Sequence, residues 1–446
     1  MTCLESARRS VHRYSSLKPM ILLSVCLFLL FSVADAAEPV SLKESENEKW
    51  YKGNLHTHSL WSDGDDYLEM IADWYKTHDY DFLSFTDHNV LPTSERWTVP
   101  EKNKGKRHAY EELKKRFPEW IEERKNKEGQ VEVRLRTFQE VSEKLGALGE
   151  YLLIKSEEIT DRHKNMPVHM NATNLHSLLT PLGGKSVYDV MQNNTNALLA
   201  QRERTGQSMM IHLNHPNFHY GVTAEDLMKV VGENFFEVYN GHPGVNNNGN
   251  ESYASTDRIW DIILTKRLAE LKLPMMYGLA TDDGHSYHKI PSRASEPGRG
   301  WVVVLSKELE PEALVEAMEA GRFYSSSGVK LKSVSYSDEG IQIEIDPEEG
   351  VEYTTDFIGT LKDYPKVGTP VLDKRGHELR ATKRYSKKIG ETLKTVKGTS
   401  ASYDFNGKEI YVRALVRSSK LHPNPSQIAD VESAWIQPVV GATAPE

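Results

Sequence analysis

A series of short apolar runs in this chain each ends in residues able to bind a metal ion. Trp50 to Leu55 leads into His56-Thr57-His58 and then Asp63. Phe82 to Phe85 leads into Thr86-Asp87-His88. Tyr151 to Ile154 leads into Glu157-Glu158-Ile159-Thr160, and Pro167-Val168 into His169. Met209 to Ile211 leads into His212-Leu213-Asn214-His215, and Met275 to Ala280 into Thr281-Asp282-Asp283-Gly284-His285. On an extended strand His56 and His58 point to one face, which suits two nitrogens on one ion. Within several groups the donor stays open. Glu157 competes with Glu158, His163 with His169, His212 with His215, and Asp282 with Asp283. Some nine donors exceed the four of one tetrahedral ion, so two or three divalent ions are expected. Nitrogen and oxygen donors without sulfur favour Zn, Mn or Fe. Clustered ions of this kind generate a bridging hydroxide at neutral pH and clamp the oxygens of a transferred group. The chemistry expected is therefore hydrolysis of a phosphoester or carboxyl ester.

The composition narrows the alternatives. The chain has 446 residues, 17 histidines, 2 cysteines and a formal net charge of −9. A net negative charge argues against coating a nucleic acid. Both cysteines, Cys3 and Cys26, lie in a segment with the layout of a secretory signal. Arg8, Arg9, Arg13 and Lys18 precede the uncharged run Met20 to Val33, followed by Ala34-Asp35-Ala36. Cleavage after Ala36 is expected, because the run is shorter than the ~20 residues of a spanning helix. The exported chain would then carry no thiol, no disulfide and no stable membrane span, and would lie in the periplasm or outside the cell.

The donors need elements to position them. Residues 37–49 are acidic and read as a linker. Residues 50–324 alternate apolar runs with amphipathic stretches, the pattern of an α/β domain of seven or eight strands. Leu68, Ile71, Trp74 and Tyr75 share a helical face, and Thr223 with Asp226 forms a capping box. A helix begins at Pro311 and stops before Gly321. Residues 101–144, dense in both charge signs, read as a solvated helical insertion, and Glu237 as a solvated carboxylate. From 325 to 446, alternation such as Ile341-Gln342-Ile343-Glu344-Ile345 predicts a small antiparallel β domain.

Taken together, His56-Thr57-His58-Ser59 with Ser62-Asp63-Gly64, Thr86-Asp87-His88, Glu158-Ile159-Thr160, His169, His215-Pro216 and Asp283-Gly284-His285 resemble the PHP (polymerase and histidinol phosphatase) superfamily. The resemblance covers residues 50–324. It implies a distorted (β/α)7 barrel with active-site residues at the C-terminal strand ends. It also implies metal-ligand roles for His56, His58, Asp63, His88, Glu158, His169, His215, Asp283 and His285. Gly300 to Val304, Phe323 to Gly328 and Ala434 to Pro438 more loosely resemble the exported group that includes bacterial carbaryl hydrolase.

The last motif is where catalysis is expected. Asp283 and His285 would act on the metals, with Tyr287 or His288 donating a proton to the leaving group. Arg162, Arg293 and Arg299 are candidates for anion recognition. Other routes lack their motifs. Leu179 stands where a phosphate-binding loop ending in Gly184-Lys185-Ser186 needs glycine. Neither a Gly-x-Ser-x-Gly elbow nor a His-Glu-x-x-His helix occurs. The reading is an exported metal-dependent hydrolase acting on a small phosphoester. The alternatives are a carboxyl-ester or carbamate hydrolase on the same metals, and a non-catalytic metal-containing binding module.

Overall fold

Strands buried on both faces form the centre of the molecule. Phe82–Phe85, Met210–Leu213 and Phe235–Asn240 have no exposed residue, so their side chains pack on both sides of the sheet. The computed structural model describes residues 40–102 and 104–440. The expected signal segment, residues 1–36, lies outside them. Among the described residues no helix is long and apolar enough to cross a membrane.

The architecture is mixed α/β. One five-stranded sheet orders Tyr277–Thr281, Phe235–Asn240, Met210–Leu213, Met166–Thr173 and Glu157–His163. A nine-stranded sheet contains the parallel set Lys49–Asn54, Phe82–Phe85 and Leu152–Lys155. Isolated parallel bridges between Thr57 and Gly284, and between His88 and Glu158, connect the two sheets. Helices Leu68–Thr77, Val187–Thr205, Thr256–Thr265 and Pro311–Glu319 alternate with the strands along the chain. Ser186 does not end a phosphate loop. Its side chain accepts from the Asp189 N–H and caps the Val187–Thr205 helix. The expected Thr223–Asp226 capping box is present.

Not all strands run the same way. Glu157–His163 and Met166–Thr173 form an antiparallel hairpin, because only Lys164-Asn165 joins them and a parallel crossover needs a dozen residues or more. Residues 101–144 also depart from a solvated helical insertion. Val131–Leu135 pairs antiparallel with Arg96–Thr98 and Glu123–Lys125. Leu113, Val133, Leu135 and Val141 are buried against Ile71 and Tyr75.

The C-terminal region is rich in antiparallel strands, and its sheets run into the rest. Phe323–Ser326 pairs with Trp301–Ser306 on one side and with Val431–Val439 on the other. The nine-stranded sheet therefore runs without a break across residue 325. Ile358, Tyr411, Leu415 and Trp435 share a buried cluster with Trp260 and Ile263. The acidic stretch 37–49 holds a strand, Val40–Lys43, which pairs with Lys330–Ser337. Its alternating Val40-Ser41-Leu42 pattern, short as it is, places Leu42 in the core.

Candidate metal centre

The segment after Lys49–Asn54 carries His56 and His58, both fully buried. His56 Nε2 lies 3.4 Å from Glu158 Oε2 and 3.4 Å from Asp283 Oδ1. His58 Nε2 lies 3.2 Å and 3.3 Å from the same two oxygens. Neighbouring ligands bonded at about 2.0–2.2 Å to one ion sit about 3.0–3.5 Å apart, so these spacings fit a shared cation. His56 Nε2, both ring nitrogens of His58 and Glu158 Oε2 are buried without a hydrogen-bond partner. Such groups are costly to bury unless something else satisfies them.

Three further groups adjoin this one. Asp63 reaches His285 Nε2 at 3.4 Å and His88 Nε2 at 3.5 Å, with His58 behind them. Glu158 uses its other oxygen to meet His169 Nδ1 at 2.9 Å, while Oε2 meets His88 Nδ1 at 2.9 Å. His215 Nε2 lies 3.6 Å from Glu158 Oε1 and 3.8 Å from Asp283 Oδ2. All nine residues singled out in the sequence thus come together in one cluster able to hold divalent metal ions. Glu158 and Asp283 each present their two oxygens to different histidines, so each could serve more than one ion. Burial by itself would raise both carboxyls, but the facing histidines hold them well below the usual carboxylate range.

The competing donors separate cleanly. Glu157 faces away and accepts from the Leu179 N–H. His163 contacts the Gly184 carbonyl. Asp282 is fully engaged, accepting from Tyr75 Oη and from the N–H groups of Gly298, Arg299 and Gly300. His212 stays close to Glu237, 3.6 Å from Oε1. Asp283 has φ +52° and His215 φ +21°, sparsely populated conformations that the surrounding bonds must enforce.

Glu237 is not solvated. It is wholly buried and accepts four hydrogen bonds. Oε1 takes His56 Nδ1 and Thr281 Oγ1, each at 2.7 Å, and Oε2 takes the His215 N–H at 2.7 Å and Asn240 Nδ2 at 2.8 Å. A glutamate inside the apolar strand Phe235–Asn240 was the signal for such a role, since a carboxylate there must be paired. Asn214 supports Glu158 Oε1 at 2.9 Å, and Asn240 supports Asp283 Oδ2 at 3.1 Å. Asp87 accepts from the N–H and Oγ of Ser59 and from Ser62 Oγ, and so anchors the loop that carries Asp63. His242, whose ring centroid is 5.6 Å from that of His285, also stands beside the cluster.

The acid–base and anion candidates fare differently. Tyr287 donates to the His58 and Gly284 carbonyls, a bracing role. His288 lies outside the grouped donors. Its Nε2 contacts the Asp65 carbonyl and its ring meets His108. Arg299 is fully buried and all its nitrogens are bonded, to Gly241, Ala294, Glu296 and Asn424, so it has no donor free for a substrate. Arg293 and Arg162 are exposed.

A scan against protein-family models and a search of curated proteins gave no match. Among the solved structures that are similar are two bacterial proteins. One is a two-domain protein from Bacteroides vulgatus, described as containing a predicted PHP-like metal-dependent phosphoesterase. It is 16% identical, the match covers 89% of this chain and 97% of that one, and the TM-score is 0.38. The other, from Bifidobacterium adolescentis, is described as a candidate metal-dependent phosphoesterase. It is 13% identical, the match covers 53% of this chain and 89% of that one, and the TM-score is 0.28. At that identity neither likeness bears on the chemistry.

Proposed function

We propose that the chain is a metal-dependent hydrolase of the PHP type that cleaves phosphoester bonds in small molecules. The observation that carries this is the placement of Glu158 and Asp283 among six histidines, with buried donor atoms left unpartnered. The donor set suits two or three ions of Zn, Mn or Fe. Bound there, divalent ions would activate water and neutralise charge on an ester's oxygens.

The chain's own residues divide the remaining work. His56 and His58 form a closed floor with no exposure. The Asp63 side chain is 56% exposed, His88 25% and His285 18%, so the substrate's approach is from their side. Glu237, Asn214 and Asn240 orient the donors beneath. Export is part of the same proposal, and its support is the basic–apolar–small layout of residues 8–36.

The test is an assay of metal-loaded protein against p-nitrophenyl phosphate, bis-p-nitrophenyl phosphate and p-nitrophenyl acetate. Phosphoester turnover is expected, and it should disappear together with bound metal in His58→Ala and His88→Ala. Turnover of the acetate alone would move the reaction to carboxyl esters or carbamates. Bound metal without any turnover would leave a binding module. An N-terminus at Ala37 in protein recovered outside the cytoplasm is the expected result for export.

A further inference from the structure

Beside His169 lies a cavity of about 450 Å³ whose wall includes Thr160, Arg162, Asn165 and His219. The hairpin explains why it opens onto the metal centre. Along Glu157–His163, residues two apart face the same way, so Glu158, Thr160 and Arg162 form one row. Glu158 is the central carboxylate of the cluster. Thr160 Oγ1 is hydrogen-bonded to His88, and its register partner across the hairpin is His169. Arg162 continues the row outward, paired with Pro167. Four residues of extended strand separate Glu158 from Arg162, about 13 Å at the usual rise.

Arg162 is exposed, and among the described residues its guanidinium makes no hydrogen bond or ion pair. Asp161 also lines the cavity, but its carboxylate is taken up by the N–H groups of Arg162 and Gly183 and by Asn194 Nδ2. Across the cavity the exposed ring of His219 adds a second nitrogen donor on a loop anchored by Phe218, which packs on His215 and His169. A forked cation with free donors, beside a metal centre and at a fixed distance from it, matches a planar or tetrahedral oxyanion.

We propose that this cavity is a specificity subsite for a second anionic group on the substrate, a carboxylate or phosphate remote from the ester that is cut, with Arg162 as its principal contact and His219 as an auxiliary one. This rests on the phosphoesterase reading for the reacting end, but the subsite can be tested without turnover. Calorimetry on Mn-loaded protein would compare 4-carboxybenzylphosphonate and p-xylylenediphosphonate with 4-carbamoylbenzylphosphonate, whose only anionic group is the phosphonate. Tighter binding of at least one of the two probes with a second anionic group, by about tenfold, is expected, the scale of one charge-assisted hydrogen bond. Arg162→Gln should abolish that preference while leaving affinity for the carbamoyl probe unchanged, and His219→Ala should reduce it. Equal affinities in the wild type, no measurable binding of any probe, or a preference that survives Arg162→Gln overturns the subsite. A preference seen without hydrolysis of the matching phosphate esters would retain the subsite and reject phosphoester cleavage.

Discussion

Glu237 Oε1 and His56 Nδ1 are 2.7 Å apart in a site closed to solvent, and this bond turns the opposite nitrogen of His56 toward Glu158 and Asp283. A carboxylate behind a metal-binding histidine fixes its tautomer and raises its basicity. Glu237→Gln keeps the shape but loses one of two charged acceptor oxygens. Metal affinity, read by competition with a chromophoric chelator, should fall about 10–100-fold. Unchanged affinity would show that packing alone sets the ring.

Metal removal should cost stability as well as activity. The unpartnered atoms of His56, His58 and Glu158 leave the folded state with unmet hydrogen bonds until a cation satisfies them. A cation at about a hundredfold excess over its dissociation constant would stabilise the fold by about 2.7 kcal/mol. Thermal unfolding should therefore shift down in a chelator and recover on adding Zn or Mn. His58→Ala should show a much smaller shift. An identical melting temperature with and without metal would contradict the assignment.

Glu69 provides a pH dependence remote from the metal site. Burial pushes its carboxyl up to about 7 from the ordinary value of 4.5, and neither oxygen has a hydrogen-bond partner. The folded chain therefore keeps this proton over a range where the unfolded chain releases it. The contribution is full below pH 4.5 and is lost as pH rises through 7. Across that window it amounts to about 3 kcal/mol. Glu69→Gln should flatten this part of the profile, so the stability difference between variant and wild type should change between pH 4.5 and 8. Parallel profiles would refute it.

Arg413 ties the C-terminal sheet to the helix Thr256–Thr265. Its Nε and Nη2 hold Asp261 at 2.7 and 3.0 Å, Nη1 lies 3.0 Å from Asp257, and the guanidinium sits 4.7 Å from the Trp260 ring centre. Arg413→Ala leaves Asp261 buried with its charge exposed to an apolar interface. Denaturant unfolding should show a loss of about 3–5 kcal/mol. The same continuity predicts that a chain ending at residue 324 will not fold alone, since Phe323–Ser326 would lose its Val431–Val439 partner. A cooperative unfolding transition in that truncated chain would disprove this.

The candidate site was legible in the sequence because its donors stand at the ends of apolar runs, where burial and ligand chemistry both leave marks. His56, His58, His88 and His285 could be read one by one. For Glu237 the apolar strand around it signalled a paired carboxylate, but its partners were not legible, because the bonds it accepts come from residues as far away as His56 and Thr281. Val131–Leu135 was hidden by charges on its outward positions, although Val133 and Leu135 alternate inward. The joining of the C-terminal strands to the central sheet was invisible for another reason. Tyr324 pairs with Ile436, and no local pattern encodes a partner so far along the chain.

Val431–Val439 is the last-made of the described strands, yet it lies inside the nine-stranded sheet, between Glu409–Leu421 and Phe323–Ser326. The sheet therefore cannot close until that strand has been made. Until that strand emerges, the edge of Phe323–Ser326 stays open. For a protein proposed to leave the cytoplasm, that delay is useful: a polypeptide unable to lock prematurely is one that a translocation pore can still admit.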